Sequence, residues 1–162
     1  MAENNISNMD KTQMIESFQQ RLLGDYGYQD EQIGKNVEIS HDFSVDLAIW
    51  KNGDDKKNNR LPDICVTILC KMEHVKIDKK DVNGAFLTSM HSSVRFVVMH
   101  NLKETKVFLI DDKKSGALEQ IADFPKAADI ANDTLLGAFV AKMRNSSKEA
   151  LLQAFGKCHN FI

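Results

Sequence analysis

No apolar run in the chain approaches the roughly eighteen residues that a membrane-spanning helix needs. Met1 to Asp10 is polar throughout and lacks the apolar centre of a secretory signal. An excess of positive charge is absent too: 21 lysines and arginines face 23 aspartates and glutamates, for a formal net charge of −2. That balance advertises no nucleic-acid partner, so any DNA contact must come from a local cluster of cations, because counterion release depends on where they sit. Cysteine is scarce, with three in 162 residues and no zinc-type spacing, which speaks for a reducing, intracellular setting. Cys65 and Cys70 fall on one expected strand, hence on opposite faces and too far apart to bridge. The five histidines show no metal-ligand spacing, and no internal repeat is evident. These absences leave a cytoplasmic protein as the expectation. Its length suits one domain, and 43% hydrophobic with 27% charged residues is an ordinary globular balance.

What is present reads as alternating helical and extended segments. From Asp10 to Asp25, Met14, Ile15, Phe18, Leu22 and Leu23 recur on one stripe, predicting an amphipathic helix with Asp10 as its N-cap. Gly24 and Tyr26-Gly27-Tyr28 end it, the two tyrosines packing the helix onto the sheet. A short strand starts at Val37-Glu38-Ile39. In the next, Val45, Leu47 and Ile49 share one face, and Asp46, Ala48 and Trp50 the other. Lys51 to Pro62 is a polar loop rich in turn formers. Ile64, Val66, Ile68 and Cys70 then give the core face of a further strand, with Thr67, Leu69 and Lys71 opposite. Asp78 caps a second helix carrying Val82, Ala85, Phe86 and Met90. Val94 to Met99 and Thr105 to Ile110 form a hairpin across Asn101-Leu102-Lys103-Glu104. After a polar Asp111–Gly116 loop, Pro125 precedes a helical region with Leu135, Leu136, Phe139 and Val140, and Ser146 or Ser147 opens a last helix.

The strand–helix–strand step across residues 64 to 99 implies a right-handed crossover and therefore an α/β fold with a mixed sheet. The expected organisation is a poorly ordered stretch at 1–9, one domain at 10–145, and a C-terminal helix at 146–162 suited to connect to a following domain.

Two adjacent strands carry the chemistry of interest. Hydrolysing a phosphodiester needs a divalent ion to bind a phosphoryl oxygen and acidify a water, and magnesium takes oxygen ligands. A carboxylate two residues before a lysine shares its strand face, and an aspartate on the neighbouring strand completes the cradle. Val45-Asp46-Leu47-Ala48-Ile49-Trp50 followed by Ile64–Lys71 resembles that PD-(D/E)xK arrangement, with Asp46 as first acid and Lys71 as the lysine. Position 69, where the second acid belongs, is leucine. Pro62-Asp63 is a decoy, and Glu73 comes after the lysine, in the wrong order. Glu16, Glu38 or Glu73 would have to supply a replacement acid. On their own, an aspartate and a lysine on neighbouring strands are more often a salt-linked sheet face than a site.

Wider matches run along the chain in order: Leu22-Leu23-Gly24-Asp25-Tyr26-Gly27-Tyr28, Val45–Trp50, Cys70-Lys71-Met72-Glu73-His74-Val75-Lys76-Ile77, Asn101–Thr105 and Cys158-His159-Asn160-Phe161-Ile162. Together they resemble the N-terminal domain of the type I restriction enzyme R protein family, as found at the front of adenine-specific DNA methyltransferase subunits. The resemblance implies a PD-(D/E)xK nuclease-like (restriction-endonuclease-like) mixed sheet flanked by helices, a restriction-modification setting, and DNA with a methyltransferase or another restriction-modification subunit as partners. It implies Asp46 and Lys71 at the catalytic positions. Asp46 and the Cys70 backbone carbonyl become metal ligands, with Mg2+ the cofactor of an active site and none needed by an inactive one. Leu69 replaces the family's glutamate, and Asn83 is the nearest candidate for its glutamine. Lys76, Lys79 and Lys80, beside the expected site, are the candidate DNA contacts. Lys51, Lys56, Lys57 and Arg60 belong to a loop diluted by Asp54 and Asp55, and Trp50 is a space-filler before it is a base-stacking platform.

Overall fold

A computed structural model describes residues 2–40, 43–58, 63–71, 94–101, 104–112 and 117–159. The order is α1 (Ala2–Gly24), a 3-10 turn (Asp30–Gln32), β1 (Ile33–Ser40), β2 (Phe43–Trp50), α2 (Gly53–Lys57), β3 (Ile64–Cys70), β4 (Phe96–His100), β5 (Thr105–Asp112), β6 (Ala117–Ile121) and α3 (Asp133–His159). The strands lie in chain order in one six-stranded sheet. β3 and β4 run parallel, and the other neighbours run antiparallel, so the sheet is mixed and the fold is α/β. Parallel neighbours cannot be joined by a tight turn, so a long connection must separate β3 from β4. The expected helix from Asp78 falls in that connection, together with Glu73, Lys76, Lys79, Lys80 and Asn83, and lies outside the described residues.

Two apolar clusters sandwich the sheet. The larger gathers Met14, Phe18 and Leu22 of α1 with Leu47, Ile49, Val66, Ile68, Phe96, Val98, Val107 and Leu109 of the strands, and with Val140 of α3. Leu136, Phe139 and Met143 of α3 pack at its border, with the Phe139 ring edge-on to Phe96 at 5.9 Å between centroids. Both long helices therefore cover one face. The smaller cluster, on the other face, holds Val45, Ala48, Trp50, Ile64, Val94, Val97, Met99 and Ile110. Fully burying a side chain such as Phe18 or Leu109 contributes about 1.5–3 kcal/mol, and these residues are 0–2% exposed.

The tyrosines act as expected. Tyr28 Oη donates to the Pro125 carbonyl at 2.7 Å and Tyr26 Oη to Asp123 Oδ1 at 2.6 Å, clamping the end of α1 to the chain that leaves β6. Burial is the main reason both phenols resist ionisation, and the Asp123 carboxylate adds to it at Tyr26. Gly27 between them adopts φ 73°, a left-handed conformation that costs glycine nothing.

Several expectations need correction. α1 begins at Ala2, ahead of Asp10: no glycine or proline interrupts residues 2–10, and the helix simply runs on into polar sequence. α2 arises inside the expected 51–62 loop. β6 is a strand that the sequence reading did not anticipate: Ala117-Leu118-Glu119-Gln120 consists of helix formers, but pairing with β5 overrides propensity. α3 is one helix through Ser146 and Ser147. Its cap is Asn132, whose Oδ1 accepts the Leu135 N–H at 2.9 Å. A register shift between Ile49 and Trp50 inserts Cys65 as an extra residue opposite β2. Ile64 is thereby turned to the smaller cluster, while Cys65 and Cys70 both touch the larger one.

Candidate functional site

β2 and β3 are matched from Trp50↔Ile64 to Leu47↔Ile68, and the ladder stops there. Beyond that rung, Asp46 takes over: its Oδ2 accepts the Cys70 N–H at 2.7 Å. A strand's amide points along the sheet, so the carboxylate that receives it sits between the two strands. The alternation of β2 breaks at this residue. Val45 joins the smaller cluster and Leu47 the larger, although they are two residues apart. On the neighbouring strand, Asn36 lies between the matched pairs Lys35↔Leu47 and Val37↔Val45 and has φ 50°. Asparagine tolerates that left-handed conformation better than most residues, and here it marks a local twist of the β1–β2 ribbon.

The twist corrects the expected facing of Asp46. Its carboxylate is turned toward α1, where Lys11 Nζ lies 3.9 Å from Oδ1. Lys11 shares a helical stripe with Met14, Phe18 and Leu22, all buried under the sheet, so docking of α1 directs it at the cleft. That spacing was visible in the sequence, but a lysine on an apolar stripe is easily passed over. Lys71 lies one residue beyond the bonded amide, and its own N–H donates to the His100 carbonyl at 2.8 Å. Leu69 packs against the smaller cluster, on the opposite side from Cys70.

Cys70 and His100 are register partners at the ends of the parallel strands. The Cys70 thiol is pushed up to about 12, chiefly by burial and then by the Asp46 carboxylate, with Lys11 opposing. His100, half-buried, is held below the usual imidazole value by burial and by the Arg21 charge. Its Nδ1 is 2.7 Å from Thr105 Oγ1, and its ring lies 4.9 Å from that of Phe18. No motif marks His100, and only the pairing of β4 with β3 brings it here.

Glu16 and Glu38 are exposed, and Glu73 is outside the described residues. Among the described residues no three His, Cys, Asp or Glu side chains converge as a metal cradle. The cleft offers a divalent ion one carboxylate, with one oxygen bonded to an amide and the other beside an ammonium. Among the described residues that donor set does not fit a hydrated magnesium ion. Two concavities lie elsewhere: a groove of about 690 Å³ along β1, which Glu38 borders, and a pocket of about 250 Å³ beside Cys65 and Arg95. Trp50 is 2% exposed, and a Cβ at Gly34 would come within 2.7 Å of its ring, so it fills space and presents no face for stacking. Lys51 pairs with Asp133 at 3.7 Å and Lys56 donates to the Asp30 carbonyl at 3.2 Å, giving both loop cations structural partners.

A family model for the type I restriction enzyme R protein N terminus matches residues 15–125, more than half of the chain, including all six strands and the later part of α1 but not Lys11. The chain belongs to that family. Membership connects it with restriction-modification and covers the segments that carried the resemblance between residues 22 and 105. No curated protein and no solved structure matches. No helix of the described residues is long and apolar enough to cross a membrane.

Proposed function

We propose that this chain is the nuclease-like domain of a DNA restriction-modification system in which metal-dependent phosphodiester hydrolysis is weakened or lost. One observation carries the reading: Leu69, at the position where the family has its second acid, packs into the apolar cluster of the opposite sheet face. A leucine there neither binds a cation nor favours a hydrated one. The PD-(D/E)xK assignment of the sheet, with Asp46 and Lys71 at the catalytic positions, rests on the family and on the pairing of β2 with β3.

The test is a nicking assay on supercoiled DNA with magnesium or manganese, run beside an Asp46→Ala/Lys71→Ala variant. Slow cleavage confined to the native protein, or none in either, agrees with the proposal. Efficient cleavage that the double variant abolishes would overturn it.

A second reading is favoured by the contacts of Asp46, which serve the protein's own structure. In this reading the domain is a non-catalytic module that binds DNA or holds a methyltransferase or another restriction-modification subunit. Lys76, Lys79 and Lys80 are its proposed phosphate contacts. Fluorescence anisotropy on duplex DNA without metal, with and without charge reversal at those three lysines, separates DNA binding from subunit binding.

A further inference from the structure

We infer that Lys11 acts as a built-in counter-ion at Asp46, occupying in charge the place that a divalent cation would take in this cleft. The Asp46 carboxylate has two oxygens and two positive partners, the Cys70 amide at 2.7 Å on Oδ2 and the Lys11 ammonium at 3.9 Å from Oδ1. Neither is incidental to the fold. The amide stands where the β2–β3 ladder ends, and the ammonium is carried by the helix whose Met14, Phe18 and Leu22 are 0–2% exposed. The Cys70 thiol lies within the field of both charges.

An ammonium and a divalent cation repel each other. At this distance the ammonium's field acts on any further cation that approaches the carboxylate. The side chain of Lys11 is 47% exposed, so water screens the pair, and the docked helix fixes the backbone from which the ammonium reaches Asp46. On the nuclease-like reading, Lys11 thus stands as a permanent cation where an exchangeable one would bind Asp46. One negative charge, Asp46, is answered by one positive charge, Lys11. This inference rests on the geometry at Asp46 and is independent of whether the domain binds DNA.

The experiment is calorimetric titration of the whole chain with manganese, comparing the native protein with Lys11→Met, Lys11→Arg and Lys11→Met/Asp46→Asn. Methionine keeps the aliphatic stem and the helix propensity, and circular dichroism checks the fold. Should Lys11→Met fail to fold, Lys11→Gln takes its place in every comparison. The expected result is weak binding by the native protein and by Lys11→Arg, with affinity rising about ten-fold in the neutral variant. Adding Asp46→Asn should abolish that gain. Unchanged affinity in the folded neutral variant would overturn the inference. So would a gain that survives Asp46→Asn, or loss of the native level of binding in Lys11→Arg.

Discussion

Restoring the missing acid by Leu69→Glu should destabilise the protein without creating a metal site. Leu69 is half-buried against the cluster containing Val97 and Met99, so its removal forfeits about 1 kcal/mol of apolar burial. A carboxylate in the same place loses water without gaining a partner, at a further cost of about 1–3 kcal/mol. The sum is a loss of about 2–4 kcal/mol. For a domain of this size that lowers the urea midpoint by about 1–2 M. Alternation puts the new acid on the opposite side of β3 from the Cys70 side chain, while the Asp46 carboxylate is turned toward Lys11 of α1.

The assay is urea unfolding followed by circular dichroism, with and without excess magnesium. An ion that engaged both acids would stabilise the folded state in proportion to the logarithm of its concentration, by about 2.7 kcal/mol at a hundred times its dissociation constant. The expected curves superimpose. A variant as stable as the native protein, gaining a magnesium response that Asp46→Asn removes, would show that positions 46 and 69 meet after all. The account of the cleft given above would then be wrong.

Two further effects follow from single contacts. Tyr28→Phe removes the buried bond to the Pro125 carbonyl and leaves that acceptor unpaired, costing about 1–2 kcal/mol and lowering the thermal midpoint by about 2–8 °C. His100 is held below its ordinary value, so the unfolded chain takes up its proton first: stability is full above the unfolded pKa of about 6.5 and falls as the pH drops from there toward the depressed native value. A nuclear magnetic resonance titration should show the His100 ring titrating below the ordinary imidazole value, and a His100→Asn variant should lose that part of the acid sensitivity.

How far the residues alone disclose this molecule depends on the kind of interaction that decides each feature. Periodicity located the helix carrying Met14, Phe18 and Leu22, because burial along a helix repeats every three to four residues regardless of what it packs against. It also located β3, where Val66, Ile68 and Cys70 lie inside. It failed at β6, whose Ala-Leu-Glu-Gln sequence favours helix and becomes a strand only because β5 offers an edge. At the cleft, alternation assigned Asp46 to the face of Trp50, and a break in that alternation, matched by left-handed Asn36 on β1, turned it toward α1. No local pattern encodes such a twist, since it arises between strands. The family segments drew attention to β2, β3 and Asp46, whereas the cation facing that acid comes from a helix more than thirty residues earlier. The carboxylate and the ammonium thus meet only because two distant segments dock, one by strand pairing and the other by burial of a helical stripe. Asp46 is therefore held from two sides, by the Cys70 amide of β3 and by Lys11 through the packing of α1, and neither contact follows from the pattern around residue 46 itself.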